Sequence, residues 1–177
     1  MRRSIRLPGF DYAGPATYFV TIVTQARAPI LGAVVRRRMV LSAAGRIVRR
    51  EWLRSAELRK EVLLDAFVIM PDHFHAIVTF RPASARPHSH SEPRMERPGR
   101  SLGSLIAQFK ATSTSKIRAL RSVQNPSPFG IDPRRIWQRS FYESILRTPD
   151  AIARARWYVS ENPRRWRGPT PSETRMG

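Results

Sequence analysis

The sequence has 177 residues and no cysteine. Disulfides, thiolate nucleophiles, cysteine-ligated zinc and iron–sulfur clusters are therefore excluded. No apolar run approaches the ~20 residues of a membrane-spanning helix, and the GxxxxGK-S/T loop that binds nucleoside triphosphates is absent. The first ten residues, MRRSIRLPGF, lack the apolar segment of a signal peptide. We therefore expect a cytoplasmic protein without a membrane partner.

Acidic residues are scarce in this chain. There are 13 Asp and Glu against 32 Lys and Arg, which gives a formal net charge of +19. Lysine contributes only Lys60, Lys110 and Lys116; the other basic residues are arginines, whose planar guanidinium groups suit bidentate contact with phosphate. Because so much like charge opposes a compact fold, we predict a nucleic-acid partner in preference to a merely solubilising surface.

Apolar periodicity predicts the order βαββαβ followed by one further helix. The predicted strands cover 16–25, 62–70, 73–80 and 136–146, and the predicted helices cover 41–58, 101–121 and 148–161. The first six elements follow the ferredoxin-like series, with two helices on one face of a four-stranded antiparallel sheet. We predict an α+β, ferredoxin-like or RRM-like fold, with the last helix crossing the open face and ending before Pro163.

We predict one domain over residues 1–163. Within it, 81–100 carries four prolines and five arginines and almost no aliphatic side chain, which predicts a flexible insert. The basic segment 164–177 is predicted to be a disordered tail.

Two histidines stand out in the strand 73–80. Side chains alternate along a strand, so His73 and His75 share the face opposite to the apolar Phe74 and could hold a divalent ion. Two surface histidines are the plainer interpretation, and His88 with His90 repeats the spacing inside the insert. A third ligand is needed, and without cysteine Mg²⁺ or Mn²⁺ is favoured over structural zinc.

The last predicted helix contains Tyr158 and Asn162, four residues apart and thus on one helix face. Tyr158 lies at the edge of the apolar stripe that packs this helix down, where it could reach the histidines. The plainer interpretations are an interfacial tyrosine and a helix-capping asparagine.

Three segments together resemble one family. MPDHFHAIV is similar to the His–hydrophobe–His (HUH) motif of single-strand DNA nucleases, and WYVSENP is similar to the Tyr-x-x-x-Asn/Gln helix of single-tyrosine transposases. With WQRSFYESILR and the following TPD, the chain resembles the REP-associated tyrosine transposases over about residues 10–163. These are bacterial relatives of insertion-sequence transposases that act on repetitive extragenic palindromes.

The resemblance implies a role for each matching residue. His73, His75 and Asn162 would bind Mg²⁺ or Mn²⁺, and Tyr158 would attack single-stranded DNA near a hairpin to give a 5′-phosphotyrosine intermediate. It implies a metal-dependent endonuclease and strand transferase, a monomer or homodimer associated with the bacterial nucleoid, acting on single-stranded or hairpin DNA. Asp72 departs from the family pattern, which often has asparagine there.

Basic residues suggest where DNA would bind. The candidates are an N-terminal arm, a helix stripe and a basic-aromatic cluster: Arg2, Arg3 and Arg6; Lys110, Lys116 and Arg118; Arg134, Arg135 and Arg139 around Trp137. The cluster suits stacking of an unpaired base, although a core position for Trp137 is slightly favoured, and the helix stripe is alternatively a solvated face.

Two other functions remain open from the sequence. One is a non-catalytic, basic RRM-like module that binds nucleic acid, for which aromatic residues would be expected where His73 and His75 stand. The other is a replication-initiator nuclease with the same histidine motif, although such chains often carry an additional domain.

Overall fold

The structure, a computed structural model, describes residues 16–81, 101–123 and 135–168. Its elements are β1 (Ala16–Val23), β2 (Gly32–Val35), β3 (Arg38–Leu41), α1 (Ala43–Leu58), β4 (Val62–Ile69), β5 (His73–Phe80), α2 (Leu102–Val123), β6 (Tyr142–Ile145) and α3 (Pro149–Arg165). The N-terminal arm with Arg2, Arg3 and Arg6, the insert beyond Arg81, Arg134 and the segment from 169 onward lie outside the described residues. None of the described helices is long and apolar enough to span a membrane.

Four antiparallel strands form the main sheet in the order β4-β5-β1-β6. On one face, Trp52 of α1 and Phe109 of α2 pack with Phe74 of β5, with ring centroids 5.0 to 5.5 Å apart. On the other face, Tyr158 of α3 contacts Phe19 of β1. The predicted α+β fold, with two helices on one face and an additional helix across the other, is confirmed.

Alternation along the two central strands decides which side chains enter the core. Phe74, Ala76 and Val78 of β5 are fully buried, on the face opposite to His73 as the alternation predicts, and Tyr18, Val20 and Ile22 of β1 are fully buried as well. β1 pairs with β5 along its whole length, so the register places Thr21 opposite His75 and Val23 opposite His73. The outward side chains of both strands therefore form one continuous surface under α3.

The start of α3 is as predicted and its end is not. Thr148 caps the helix by accepting a hydrogen bond from the Ala151 amide at 3.1 Å, with Pro149 in the first turn. The helix continues through Pro163 to Arg165, so the prediction that it ends before Pro163 is wrong. In the last turn a proline removes only one hydrogen bond, and the packing of Trp166 on His73, with ring centroids 5.9 Å apart, holds this end against the sheet.

The sequence pattern missed a small two-stranded sheet formed by β2 and β3. Each strand has four residues, and the turn between them, Arg36-Arg37, contains none of the residues typical of tight turns. In contrast, the strand predicted at 136–146 is too long, because only Tyr142–Ile145 joins the sheet. Before it, Trp137 forms a single bridge to Thr24, and the carbonyls of Gln138 and Ser140 accept hydrogen bonds from the Lys110 ammonium, both at 2.9 Å.

Candidate metal and tyrosine site

β5 presents two imidazoles side by side on the face that α3 covers. The ring centroids of His73 and His75 are 4.6 Å apart, and His75 is 6% exposed. The predicted pairing of these two side chains on one strand face is therefore present.

His73 is oriented by the buried carboxylate of Asp72. An ionised carboxylate only accepts hydrogen bonds, so Nδ1–H of His73 donates to Oδ1 of Asp72, and Nε2 is the nitrogen left for a ligand. The Asp72 main-chain carbonyl in turn accepts from the Thr24 amide at 2.9 Å and from the Thr24 hydroxyl at 2.8 Å. The acidic residue that departs from the family pattern thus has a specific contact with the first histidine.

His75 is held by β1. Its Nδ1 lies 2.8 Å from the Thr21 hydroxyl, and its ring stacks on Phe19 with centroids 5.2 Å apart. Burial, and then the nearby His73, lower the pKa of His75 to about 3, against the opposing effect of Asp72. The ring is therefore neutral near pH 7, which is the form of imidazole that binds a metal.

α3 brings the predicted nucleophile to these histidines. The Tyr158 ring lies 5.3 Å from the His75 ring and 5.8 Å from the Phe19 ring, and the side chain is 40% exposed. Trp166, two turns further on, contacts His73. Asn162 lies between them on the same face of the helix and is 8% exposed, so Tyr158, Asn162 and the two histidines occupy one site.

The donor set suits a divalent ion. Among the described residues there is no cluster of three His, Cys, Asp or Glu side chains that could hold a metal. The two imidazoles are donors typical of transition-metal ions, and the Asn162 amide oxygen is a donor that Mg²⁺ and Mn²⁺ accept, so the three neutral donors would leave positions for substrate oxygens. The hydrogen bonds that occupy Nδ1 of both histidines fit this use, because ligating histidines are usually oriented through their second nitrogen.

A cavity of about 420 Å³ lies directly beside Tyr158 and was not predicted. Its walls come from β1, the β6 end and α3: Phe19, Ser144, Leu146, Arg154, Ala155, Trp157 and Tyr158. Trp157 is 54% exposed, and the Arg165 guanidinium lies 4.4 Å from the centre of its ring. The sequence feature that could have indicated this cavity is the position of Trp157, which directly precedes Tyr158 and lies outside the buried stripe of α3.

Trp137 packs into the core. It is 6% exposed, its Nε1 donates to the Ser113 hydroxyl at 3.0 Å, and it packs near Phe109. The slightly favoured core position is therefore correct. DNA binding by Trp137 stays a prediction, because this residue also lines a groove together with Arg135 and Arg139.

The two lysines predicted to bind DNA make polar contacts within the protein. Lys110 donates to the carbonyls that precede β6, and burial lowers its pKa to about 8. Lys116 lies 2.6 Å from the buried Glu51 carboxylate. The exposed cations of this region are the arginines Arg118, Arg135 and Arg139, which line a groove of about 350 Å³.

Comparison with known proteins places this geometry in context. No family model matches the chain. Over 171 residues it is 30% identical to a Haemophilus influenzae protein described as uncharacterized, an alignment that covers 93% of this chain and 89% of that protein.

Among solved structures, one described as a REP-associated tyrosine transposase bound to a REP hairpin superposes with a TM-score of 0.59. Its sequence is 18% identical, and the match covers 92% of this chain and 73% of that one. A Deinococcus radiodurans protein provisionally described as a transposase gives a TM-score of 0.43 at 17% identity, over 90% of this chain and 96% of that one. The chain therefore belongs to one family with the Haemophilus influenzae protein, and it has the fold of a REP-associated tyrosine transposase.

Proposed function

We propose that this protein is a metal-dependent single-strand DNA endonuclease and strand transferase, a single-tyrosine transposase of the HUH type that cleaves near DNA hairpins. The observation that carries the proposal is the contact between the Tyr158 and His75 rings, 5.3 Å apart. It unites a hydroxyl nucleophile on a helix with a histidine pair on a strand, although the two lie far apart in the sequence. If Tyr158 only packed against the sheet, it would not require two neighbouring histidines whose Nδ1 atoms are both held by hydrogen bonds.

Tyr158 is the nucleophile. Its oxygen attacks a backbone phosphorus, a Tyr158 O–P bond forms, and the bond from phosphorus to the 3′ oxygen breaks. The phenolic proton is lost, the departing 3′ oxygen gains a proton, and the products are a 5′-phosphotyrosine and a free 3′-OH. Because the phosphotyrosine bond retains the energy of the original linkage, a 3′-OH can attack it and rejoin the strands.

His73, His75 and Asn162 would hold Mg²⁺ or Mn²⁺. When bound, the ion supplies Lewis-acid neutralisation of the phosphate charge and favours ionisation of a phenol whose free pKa is ~10. The protein orients these ligands through Asp72 on His73 and Thr21 on His75. Phe19, stacked on His75 and in edge contact with Tyr158, packs against both rings from the side of β1.

Single-stranded or hairpin DNA is the proposed substrate. The net charge of +19 and the exposed arginines Arg118, Arg135 and Arg139 support binding of a polyanion. The cavity beside Tyr158 supports an unpaired strand, because the exposed face of Trp157 offers a surface on which a base would stack. The structural neighbour bound to a REP hairpin supports a REP-like palindrome as the substrate.

The test is a covalent-trapping assay. A labelled oligonucleotide with a hairpin and single-stranded flanks, taken from the palindromes near the gene, is incubated with Mn²⁺ and run on a denaturing gel. We expect a protein–DNA adduct with the wild type and with Tyr142→Phe, a control at another exposed tyrosine. Tyr158→Phe, His75→Ala and wild type in EDTA should form none.

Two other results would change the conclusion. An adduct with Tyr158→Phe would assign the chemistry to a different tyrosine. Hairpin binding without any adduct, on either strand and with either metal, would favour the non-catalytic RRM-like module.

A further inference from the structure

The β2–β3 hairpin, Gly32–Leu41, carries three consecutive arginines at its tip, and we call it the arginine ribbon. Val35 pairs with Arg38, so the turn consists of the two residues Arg36 and Arg37. All three arginines are exposed. The ribbon therefore presents a compact group of positive charge at its turn.

The turn has a backbone that arginine does not favour. Arg36 and Arg37 have φ values of 48° and 62°, both in the left-handed region. Two-residue turns with positive φ at both positions are usually built from Asn-Gly or Asp-Gly. At positive φ the Cβ atom of most other residues comes too close to the backbone carbonyl oxygen, which is a steric cost. A strained conformation that persists at an exposed tip suggests a use for the side chains that occupy it.

The base of the ribbon is rigid, in contrast to its tip. Gly32 has a φ of 145°, and a Cβ there would approach the Val40 carbonyl oxygen to 2.1 Å. Gly45 on α1 is packed as tightly against the Leu31 carbonyl, and the Leu31 amide donates to the carbonyl of Pro71 at 3.0 Å. The two strands meet at the base of the ribbon, and this base meets α1, without space for a further side chain, so the base is closely packed.

This base adjoins the site already described. Pro71 directly precedes Asp72 and His73, so the ribbon starts beside the histidine pair. Four strand residues at ~3.3 Å each place its tip about 13 Å from its base. The ribbon therefore connects the segment that leads into His73 with the three exposed arginines over this distance.

We propose that the arginine ribbon binds the sugar–phosphate backbone of duplex DNA, in the stem of a hairpin whose single-stranded flank enters the Tyr158 site. This inference rests on the proposed function for its substrate. Duplex DNA is the occupant that fits, because it offers closely spaced phosphates to three adjacent guanidinium groups, and backbone contacts fix the position of a protein without reading sequence. The ribbon would thereby set the distance between stem and cleaved phosphate.

The test replaces Arg36-Arg37 by Asn-Gly, the residue pair that favours a two-residue turn with positive φ at both positions. In the Arg36→Asn, Arg37→Gly variant the fold should melt at a higher temperature than the wild type, because the strain is removed. Its affinity for a hairpin with a stem should fall about tenfold at low salt. The slope of log K against log salt should become shallower by about 1.8, that is about 0.9 for each of two lost phosphate contacts.

A control variant removes the same charge elsewhere. Arg49→Gln with Arg54→Gln, at exposed positions of α1, should leave the hairpin affinity and the salt slope near those of the wild type. The single-stranded flank alone should bind the ribbon variant and the wild type equally. Equal losses in both double variants would overturn the proposal, because net charge alone would then explain them, and so would unchanged hairpin binding by the ribbon variant.

Binding is measured in EDTA with Tyr158→Phe as the background, so that it does not depend on chemistry. A ribbon effect on stem binding, together with no adduct from the wild type in the trapping assay with Mn²⁺, would support the ribbon and reject the nuclease. An adduct from the wild type in that assay, together with unchanged stem binding by the ribbon variant, would do the reverse.

Discussion

The guanidinium group of Arg156 on α3 forms a salt bridge with the carboxylate of Asp65 on β4. Its Nε donates to the two carboxylate oxygens at 3.1 and 2.9 Å, and Nη2 lies 2.8 Å from Oδ2. Asp65 lies where the pairing of β4 with β5 shifts between Leu64 and Phe67, and such a bulge redirects a side chain out of the regular alternation. Beside the buried Val159 and Asn162 and the ring contacts of Tyr158 and Trp166, this exposed ion pair is one of the contacts between the tyrosine helix and the sheet.

Reversing the charge of Asp65 should misplace Tyr158. We expect Asp65→Arg to slow adduct formation about tenfold or more, because small displacements of a reacting group cost large factors in rate. The double variant Asp65→Arg, Arg156→Asp should recover most of the rate, while hairpin affinity changes little in either. Single-turnover adduct formation measures this effect. Glu57→Arg, an exposed position on α1, controls for the added charge. Equal impairment of the single and double variants would show that the pair does not position the helix.

Lys116 should contribute to stability through its contact with the buried Glu51 carboxylate. Lys116→Met leaves that carboxylate, 4% exposed, without its closest partner, and we expect a loss of about 1–3 kcal/mol in the free energy of unfolding. Urea denaturation without DNA measures the change. Arg118→Met, two residues away on the exposed side of α2, should stay within about 0.5 kcal/mol of the wild type. If both variants had a similar free energy of unfolding, Lys116 would be an ordinary solvated cation that does not stabilise the fold.

Acid should destabilise the metal-free protein through His75. Between about pH 3 and 6.5 the unfolded chain binds a proton at this ring and the folded chain does not, so unfolding takes up a proton. The contribution of the neutral His75 ring to the free energy of unfolding is complete above pH 6.5. It declines as the pH falls below that value, by up to ~1.4 kcal/mol per pH unit. Urea titrations in EDTA from pH 7.5 to 5 should show a shallower decline for His75→Gln than for the wild type or Tyr142→Phe. Parallel declines in all three proteins would contradict the lowered pKa.

Trp157 should matter for single strands. Base–aromatic stacking is worth ~1–3 kcal/mol per base, so Trp157→Ala should weaken binding of the single-stranded flank about tenfold, and Trp157→Phe should retain most of it. Fluorescence anisotropy with a labelled flank in EDTA gives the two affinities. Leu63→Ala, at an exposed position on the opposite edge of the sheet, should bind as the wild type does. Full affinity in Trp157→Ala would mean that no base rests on this ring.

The parts of the fold that the sequence predicts are those with strong local periodicity. The strand containing His73 and His75 is predicted with its bounds because its apolar residues alternate and a turn precedes it. The same alternation gives the shared face of the two histidines. Tyr158 and Asn162 follow from the four-residue spacing on a helix with clear start signals.

The parts that the sequence does not predict depend on contacts between distant segments. The partners of Lys110 and Lys116, a run of carbonyls and a buried glutamate, have no local signature, so both lysines look like surface cations. Trp137 is surrounded by arginines in sequence but points to Ser113 in the core. The sequence does not predict the arginine ribbon, because its turn, Arg36-Arg37, contains none of the residues that usually mark a tight turn.

The site takes its side chains from one end of β5 and one stretch of α3. β5 leaves the sheet at the opposite end, where Phe80 is seven residues from His73 and thus about 23 Å away along the strand. Sequence added after Arg81 enters the chain at that remote end. A change in chain length at this point therefore leaves the arrangement of His73, His75 and Tyr158 unaltered, and the same junction is a suitable place to insert a fluorescent or affinity module.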